Sequence, residues 1–294
     1  GHVIVLCGSS HQPRSTRNPW LWQEREQMLR SVLPADVQQR VLVAPLLDSP
    51  YNNECWVRNV QATVNGLVAA HHRVPHTLPR IGLIGHSKDH SSYYLHLFPQ
   101  WGSVNVDNRD DINATAVRNG LFGVSGALSG VEYLQSLAAQ LPGPVCAWLT
   151  HFVAEPAFQE LQDEQAFVAK YRKAWAAAPY EPSFVTVDAV VVQSGHILLV
   201  ERKARPGKGL LALPGGFVDP QERIRDACLR ELKEETRIKV PLPVLRGSIK
   251  RADVFDDPYR SARGRTITHA FYIELEPSSE LPKVKGGDDA RTAQ

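Results

Sequence analysis

Acidic residues recur at fixed intervals between Gly215 and Glu235, and this spacing constrains the fold more than any other feature of the sequence. Glu231, Glu234 and Glu235 stand three and four residues apart, which places their side chains on one face of a helix. Like charges on one face destabilise a bare helix, and a divalent cation bound by oxygen atoms relieves that repulsion. The pattern therefore favours a metal site, with a solvated acidic helix face as the alternative.

The residues before this acidic run predict where the helix begins. Asp219 is a favourable N-cap, Pro220 then takes the first helical position and Glu222 the third, as in a capping box. Arg230 is placed to pair with Glu222 or a neighbouring carboxylate and to orient it. We therefore predict that the helix starts at Pro220.

Composition limits the classes of partner that the chain can have. Its 294 residues are enough for two domains, and 33 basic against 31 acidic residues give a net charge of +2. That balance gives no reason to expect nucleic acid or a membrane surface as a partner. No apolar run approaches the roughly 20 residues that span a bilayer, and the first ten residues lack the features of a secretory signal.

The four cysteines lie far apart and form no CxxC pair, which argues against a zinc site. Each has apolar neighbours and is predicted to be a buried free thiol. Free thiols suit a reducing compartment, so we expect the protein in the cytoplasm.

The first half of the chain alternates strands and helices. Continuous apolar runs at Val3–Cys7, 41–46 and 81–84 predict buried parallel strands. A helix is predicted from Asn18-Pro19 to about Leu33, another from Trp56, and a third over about 155–178. This alternation predicts a doubly wound α/β sheet.

Two prolines within Ala178–Pro182 end the helical pattern, so we place the domain boundary there. The second half opens with a predicted hairpin, in which Ser194-Gly195 joins strands over 187–192 and 196–201. The predicted domains are residues 1–178 and 183–294.

The acidic segment resembles the Nudix box. Gly216 is followed after five residues by Glu222 and after seven more by Arg230-Glu231, and Glu234-Glu235 completes the run. The resemblance implies Mg²⁺, with Mn²⁺ as its substitute, held by Glu231, Glu234 and Glu235. It implies hydrolysis of a nucleoside diphosphate linked to another moiety, with Glu222 supporting the metal and Gly216 at the substrate.

One position departs from that box. Arg237 stands where the family has glycine, which suits a left-handed helix end. An arginine in that conformation costs on the order of 1 kcal/mol. Arg237 replaces no metal ligand, so we expect this departure to affect the geometry of the loop after the helix and to leave metal binding and hydrolysis nearly unaffected.

Two further segments are candidates for the same site. Asp288 and Asp289 follow two glycines and are candidates for the general base, with a plain acidic turn as the alternative. Arg263 and Arg265 are candidates to clamp phosphates by bidentate contacts, with a basic surface loop as the alternative. The segment from Asp256 resembles the ADP-ribose-cleaving branch of the Nudix family, which implies ADP-ribose as substrate.

Two segments of the first half carry residues suited to nucleotides. Asn113-Ala-Thr115 opens a helix with free N–H groups and a hydroxyl, and Arg118 follows one turn later, which suits phosphate binding. Trp56 follows Asn53 by three residues, so an aromatic plane and an amide are available to a base or a nicotinamide ring. The alternatives are an ordinary N-cap and a buried core tryptophan.

Together with other residues, these segments resemble the nicotinamide mononucleotide adenylyltransferases. The resemblance assigns Thr115 and Arg118 to an ATP-phosphate motif, and Asn53 and Trp56 to the nicotinamide nucleotide. The other residues that carry it are Gly8-Ser-Ser, Arg14, Arg17-Asn-Pro-Trp20, Ile112-Asn113 and Gly85-His-Ser-Lys-Asp89, among which Arg17, Gly85 and Asn113 are further substrate-binding candidates.

That family opens with a strand and a His-x-Gly-His turn, whereas this sequence begins at what resembles the second strand, and Gln294 precedes the expected last Nudix helix. We therefore expect the chain as written to be severely impaired as an adenylyltransferase, because those histidines stabilise the transferring phosphates.

The order of the two halves resembles the bacterial bifunctional family of NAD biosynthesis. This implies a Rossmann-like nucleotidyltransferase domain followed by a Nudix α/β/α sandwich. ATP, nicotinamide mononucleotide and ADP-ribose are the implied small-molecule partners, and a homo-oligomer stays open. The alternatives are a Nudix hydrolase with a degenerate first domain, and a non-catalytic ADP-ribose sensor.

Overall fold

The computed structural model describes residues 1–72, 78–85, 94–106, 113–123 and 129–294. The chain divides into two compact units, Gly1–Gln162 and Asp163–Gln294. The division falls inside a helix, earlier in the chain than the predicted boundary at 178–183. The C-terminal part of that helix belongs with the second unit, because Asp163 pairs with Arg205 at 2.9 Å.

The first unit contains two pairs of parallel strands. β1 (Val3–Cys7) pairs with β2 (Val41–Pro45), and β3 (Gly82–Gly85) pairs with β4 (Gly102–Asn105). β1, β2 and β3 lie where the apolar runs predict them, whereas β4 was not predicted. In the part of the chain that the structure describes, the pairs form separate two-stranded sheets, and a cavity of about 1410 Å³ is lined by residues of both β1 and β3.

Helices account for most of the remaining first unit: α1 (Trp22–Ser31), α2 (Ala35–Gln38), α3 (Asn53–His71), α4 (Ala114–Leu121), α5 (Gly130–Ser136), α6 (Gly143–Val153) and the beginning of α7 (Pro156–Ala174), the helix that continues into the second unit. The predicted start of α1 at Asn18-Pro19 is wrong. The Glu24 carboxylate accepts the Leu21 N–H at 2.7 Å, and Arg14 holds the same carboxylate, so the first turn forms at Trp22.

The second unit is built on strands β5 (Phe184–Gln193), β6 (His196–Ile197), β7 (Val200–Arg202), β8 (Leu211–Ala212), β9 (Gly215–Phe217), β10 (Ile249–Phe255), β11 (Thr266–Glu274) and β12 (Ala290–Ala293). Five strands form one sheet in the order β10-β11-β5-β6, with β9 also paired to β5, and β12-β7-β8 form a second. The predicted hairpin is confirmed between β5 and β6, where Ser194 and Gly195 both have positive φ, as a tight two-residue turn requires.

Helix α8 (Ile224–Thr236) packs one apolar face onto the large sheet, and α9 (Leu242–Gly247) follows it. Leu229 and Leu232 of α8 are fully buried in one cluster with Val187 of β5 and Ile273 of β11. Burying each such side chain contributes roughly 1.5–3 kcal/mol. The packing fixes the rotation of α8 and therefore fixes where its acidic residues lie.

No helix among the described residues is both long and apolar enough to cross a membrane. All four cysteines are free thiols, and of these Cys7 and Cys228 are buried. Cys55 and Cys146 are only partly buried, so the prediction that all four are buried is wrong for these two.

Candidate functional site

Helix α8 begins later than its sequence predicts. Arg223, not Asp219, is the N-cap, and Ile224 is the first helical residue. Asp219 and Glu222 instead form a tight turn, in which the Asp219 N–H donates to Glu222 Oε1 at 2.9 Å. The prediction that α8 starts after a capping box at Asp219 is therefore wrong. Arg230 binds Glu222 and holds it outside the helix.

Arg230 is the centre of the acidic cluster. Its guanidinium donates to both oxygens of Glu222, at 2.5 and 3.1 Å, and to one oxygen each of Glu231 and Glu234, both at 2.9 Å. It also donates to the Phe217 carbonyl at 3.2 Å. The hydrogen bond from Arg230 lowers the pKa of Glu222, and the surrounding carboxylates raise the pKa of Arg230.

The Glu231 carboxylate lies directly over Gly216. A Cβ at residue 216 would stand 2.5 Å from Glu231 Oε1 and 2.7 Å from Oε2, so only glycine leaves room. Burial raises the pKa of Glu231. The hydrogen bond and the charge of Arg230 lower this pKa, whereas the charges of Glu234 and Asp288 raise it. The structure thus places Glu231 in a hollow that the β9 backbone forms.

Glu235 is the most deeply buried acid of the helix, with 7% of its surface exposed. Its Oε2 accepts the Gly215 N–H at 2.9 Å. Burial raises its pKa to about 7, although the Gly215 hydrogen bond opposes the shift, and the charge of Glu231 adds to it. A group in this setting is easily neutralised by a proton or by a cation.

The glycine-flanked acidic turn packs against the end of α8. The Gly287 N–H donates to the Glu235 carbonyl at 3.0 Å, and a Cβ at residue 287 would lie 2.4 Å from the Glu234 carbonyl oxygen. The charge of Asp288 raises the pKa of Glu231, and that of Asp289 raises the pKa of Glu235. The fold therefore brings this turn to the carboxylates, although more than 50 residues separate them in sequence.

Arg237 ends α8 in the left-handed conformation, with φ 46° and ψ 30°. This is the conformation expected at the position where the Nudix box has glycine. The non-glycine residue leaves the helix end in place.

The donor set suits a hard divalent cation. Carboxylate oxygens are the ligands that Mg²⁺ and Mn²⁺ prefer, and the hollow over Gly216 presents Glu231 close to the backbone. Arg230 engages one oxygen each of Glu231 and Glu234. Across the described residues, no three His, Cys, Asp or Glu side chains are grouped closely enough to form a ready metal site. The ligand types fit, and an ion would need these side chains to adjust around Arg230.

The two candidate phosphate clamps have different surroundings. The Arg263 guanidinium lies 4.7 Å from the centre of the Phe217 ring and 5.9 Å from that of Tyr171. Arg265 donates to the Asp256 carbonyl, and its Nη2 lies 3.9 Å from the Asp256 carboxylate. Arg263 is thus the one beside β9, next to the Nudix box.

Asp188 is an acidic residue of this region that the sequence reasoning missed. It lies on β5 opposite Gly215, and a Cβ there would stand 2.6 Å from Asp188 Oδ1. Burial raises the pKa of Asp188 to about 6, although the charges of Arg260 and Arg202 lower it. An acid within the apolar strand Val187–Val192 was the sequence observation that could have revealed it.

In the first unit, the structure brings together Arg17 and Arg118, two arginines that the sequence predicts at the substrate. Asn113 caps α4 through its side-chain oxygen, which accepts the Thr115 N–H at 2.8 Å, and Arg118 donates to Thr115 Oγ1 at 3.1 Å. Burial lowers the pKa of Arg118, and the charge of nearby Arg17 lowers it further. Ile112 lies outside the described residues.

Trp56, the aromatic candidate of the first unit, is partly packed into the hydrophobic core. Trp56 packs against Phe98 with ring centres 5.9 Å apart, and it also lines the large cavity. Asn53 is exposed at the start of α3. Gly85 ends β3 in contact with Leu95, and the four residues after it, 86–89, lie outside the described part.

Comparison with known proteins gives the family of the second unit and relatives of the chain. Residues 182–293 match the family described as NUDIX domain. An ADP-ribose pyrophosphatase of Methanocaldococcus jannaschii is 37% identical over 110 residues, which is 37% of this chain and 59% of the relative. A nicotinamide/nicotinic acid mononucleotide adenylyltransferase of Acinetobacter baylyi is 36% identical over 121 residues, which is 41% of this chain and 60% of the relative.

A solved structure extends the similarity to the whole chain. The bifunctional NMN adenylyltransferase/ADP ribose pyrophosphatase of Francisella tularensis, crystallised with AMP and an Mn ion, superposes with a TM-score of 0.85. It is 34% identical, and the match covers 100% of this chain and 82% of that one.

The second unit is therefore a NUDIX domain, in which α8 carries the family's acidic residues. Since the similarity continues through the first unit, the chain belongs to the family of bifunctional NMN adenylyltransferase/ADP ribose pyrophosphatases. The chain spans about 60% of the length of the curated relatives that it matches.

Proposed function

We propose that the second unit hydrolyses ADP-ribose to AMP and ribose 5-phosphate. The observation that carries the proposal is the position of Glu231 over Gly216, with Glu235 buried beside it and the Asp288-Asp289 turn packed against the same helix end. The named relatives support ADP-ribose as the diphosphate.

Each acidic residue has a role in this proposal. Glu231, Glu234 and Glu235 hold a divalent cation, Mg²⁺ or its substitute Mn²⁺, which when bound polarises the diphosphate and lowers the pKa of water. Arg230 orients Glu222, which supports the cation from outside the helix. Asp288 accepts the proton from the attacking water, with Asp289 as the alternative. The water oxygen bonds to phosphorus, and the bond from that phosphorus to the bridging oxygen breaks.

We propose that the first unit belongs to adenylyl transfer from ATP to nicotinamide mononucleotide, giving NAD and pyrophosphate. Arg17 and Arg118 support this, because two neighbouring cations at the start of a capped helix favour phosphate groups. Asn53 and Trp56 are the proposed contacts of the nicotinamide nucleotide, and Gly85 is a further proposed substrate contact. We also place the protein in the cytoplasm, where its free thiols stay reduced.

The sensor alternative is disfavoured by the carboxylates themselves. A protein that only bound ADP-ribose would have no need for three acids on one helix, and here Glu231, Glu234 and Glu235 are all present on α8.

Production of AMP tests the hydrolase proposal. The protein is incubated with ADP-ribose and Mg²⁺, and AMP is measured by chromatography. We expect wild type to form AMP and Glu235→Gln to form it at least roughly 100-fold more slowly, because a metal ligand is lost. Glu280→Gln, an exposed acid of the same unit, is the matched control. Equal rates for wild type and Glu235→Gln would refute the metal assignment.

A further inference from the structure

Asp188 lies on the large sheet of the second unit, on the face opposite helix α8. Side chains alternate between the two faces of a strand, and Val187 and Ala189 of β5 belong to the buried cluster that includes Leu229 of α8. Asp188 stands between them in sequence and therefore points to the other face. It is only partly buried, so a small molecule can reach its carboxylate.

The residues directly across from Asp188 are small. Ala270 of β11 pairs with it on one side, and Gly215 of β9 pairs with it on the other. A Cβ at residue 215 would stand 2.6 Å from Asp188 Oδ1, so only glycine leaves room for the carboxylate there. The cross-strand neighbours of the acid are thus too small to cover it.

Two arginines approach Asp188 without pairing with it. Burial raises the pKa of Asp188, and the charges of Arg260 and Arg202 lower it. Arg202 Nε donates to the Pro206 carbonyl at 2.8 Å, and Arg260 donates to the Thr268 hydroxyl. Within the described ranges, the Asp188 carboxylate accepts no hydrogen bond and forms no ion pair. A partly buried carboxylate without donors is costly, and a ligand that supplies donors offsets that cost.

The charges around Asp188 select the kind of ligand. The two neighbouring arginines disfavour a metal cation, and the carboxylate itself disfavours a phosphate group. Two adjacent hydroxyl groups satisfy both carboxylate oxygens without adding charge, and an acidic residue reads the ribose of a dinucleotide in this way in the Rossmann fold. The chemistry of this position therefore suits the cis-diol of a ribose.

Strand β9 connects Asp188 to the Nudix box. Gly215 faces Asp188, and its N–H donates to Glu235 at 2.9 Å. The next residue, Gly216, lies under the Glu231 carboxylate. Among the described strands β9 pairs only with β5, so its other edge is open and a ligand can extend past it. A diphosphate held at the box is thus separated from Asp188 by one short strand.

We propose that Asp188 determines the specificity of the Nudix site by accepting hydrogen bonds from the 2- and 3-hydroxyl groups of a ribose in the substrate. A ribose without the 2-hydroxyl loses one of these bonds, and a ribose with a phosphate there meets the charge of the carboxylate. ADP-ribose contains two riboses with such a diol, one beside adenine and one at the far end. The proposal rests on the proposed hydrolase function, which supplies the substrate.

Four monophosphates test this proposal by calorimetry without requiring hydrolysis. AMP and 2′-deoxy-AMP report on the ribose beside adenine, and ribose 5-phosphate and 2-deoxyribose 5-phosphate report on the far ribose. We expect wild type to prefer the hydroxylated member of a pair about 10-fold, since a hydrogen bond to a charged group carries an effect of that order. In Asp188→Ala the preference should fall below about twofold. The pair that loses its preference identifies the ribose.

Asp188→Asn separates the contact from an effect on folding, because it keeps the shape of the side chain and removes the charge. It should also lose most of the preference, whereas Glu280→Gln, an exposed acid of the same unit, should behave as wild type. No preference by wild type within either pair, or an undiminished preference in both Asp188 variants, would overturn the proposal. A wild type with an Asp188-dependent preference that leaves ADP-ribose uncut would overturn only the hydrolase function.

Discussion

At the scale of single residues, Arg230 shows how one side chain organises a site. It joins Glu222, which lies outside α8, to Glu231 and Glu234, which lie on it. The sequence predicted a pairing of Arg230 with Glu222 or a neighbour, and the structure contains both. Spacing along the chain cannot reveal that one guanidinium meets three carboxylates, because that depends on the turn that folds Glu222 back.

Gly216 provides a sharp test at this scale. Gly216→Ala should lower kcat for ADP-ribose hydrolysis by roughly 100-fold, because the new methyl group displaces the Glu231 carboxylate by an ångström or more. The free energy of unfolding should change by less than about 1 kcal/mol, because the displaced atoms end a flexible side chain. Gly247→Ala is the matched control, since a Cβ there meets nothing within 4 Å. Full activity of Gly216→Ala would contradict the assigned position of Glu231.

Asp188 gives a pH-dependent prediction. Its pKa in the folded chain is raised from 3.8 to about 6 by burial, so the folded state holds this proton more tightly than the unfolded state. The stability that the proton contributes is complete below pH 4 and is lost as the pH rises through 6. In the presence of a chelator, Asp188→Asn should therefore be about 1–3 kcal/mol more stable than wild type at pH 8.

Urea unfolding of the second unit between pH 4 and pH 8 measures this difference. The gain of Asp188→Asn over wild type should shrink towards zero as the pH falls to 4. Glu280→Gln, at an exposed position of the same unit, is the control and should show no such trend. A variant that is less stable than wild type at pH 8 would show that the Asp188 charge is stabilising.

The cysteines differ in predicted reactivity. Hydrogen bonding to Ser49, with Arg58 and Asn59 nearby, lowers the pKa of Cys55, whereas burial raises that of Cys228 to about 12. Because the thiolate is the nucleophile, iodoacetamide at pH 7.5 should label Cys55 faster than Cys228. Peptide mass spectrometry at timed intervals measures the order. Labelling of Cys228 first, in the folded protein, would contradict its burial.

At the scale of elements, the end of α8 departs from the family's pattern. Arg237 adopts the left-handed conformation that favours glycine. Arg237→Gly should therefore raise the free energy of unfolding by about 1 kcal/mol, partly offset by the greater freedom of glycine in the unfolded chain. Arg225→Gly, in the first turn of the same helix, should lower the free energy of unfolding, because glycine has a low helix propensity. Loss of stability in Arg237→Gly would mean that its side chain contributes more than the backbone strain costs.

Helix α8 also shows which features of a helix the sequence predicts and which it does not. The three-and-four spacing predicted one acidic face, and in the structure the buried Leu229 and Leu232 form a separate apolar face that was not predicted. The start was predicted at Pro220 and lies at Ile224, because Arg230 holds Glu222 more strongly than the helix would. Rules for helix capping consider only neighbouring residues and therefore do not include such a tertiary ion pair. The late start of α1 has the same explanation, because Arg14 pairs with Glu24.

At the scale of the whole molecule, each unit carries its own candidate site. The acidic turn at Asp288-Asp289 reaches α8 only through the fold of the second unit, and Asp188 joins from the partner strand of β9. The sequence could name this turn as a candidate because the Nudix resemblance implies a general base outside the helix, but it did not reveal the contact between the turn and α8.

Binding of Mn²⁺ followed by electron paramagnetic resonance tests the central claim most directly, since it reports the carboxylate site without substrate. Wild type should bind Mn²⁺, and both Glu231→Gln and Glu235→Gln should weaken that binding at least roughly 10-fold, with Glu280→Gln unchanged. Equal Mn²⁺ affinity in wild type and in both variants of α8 would contradict the account.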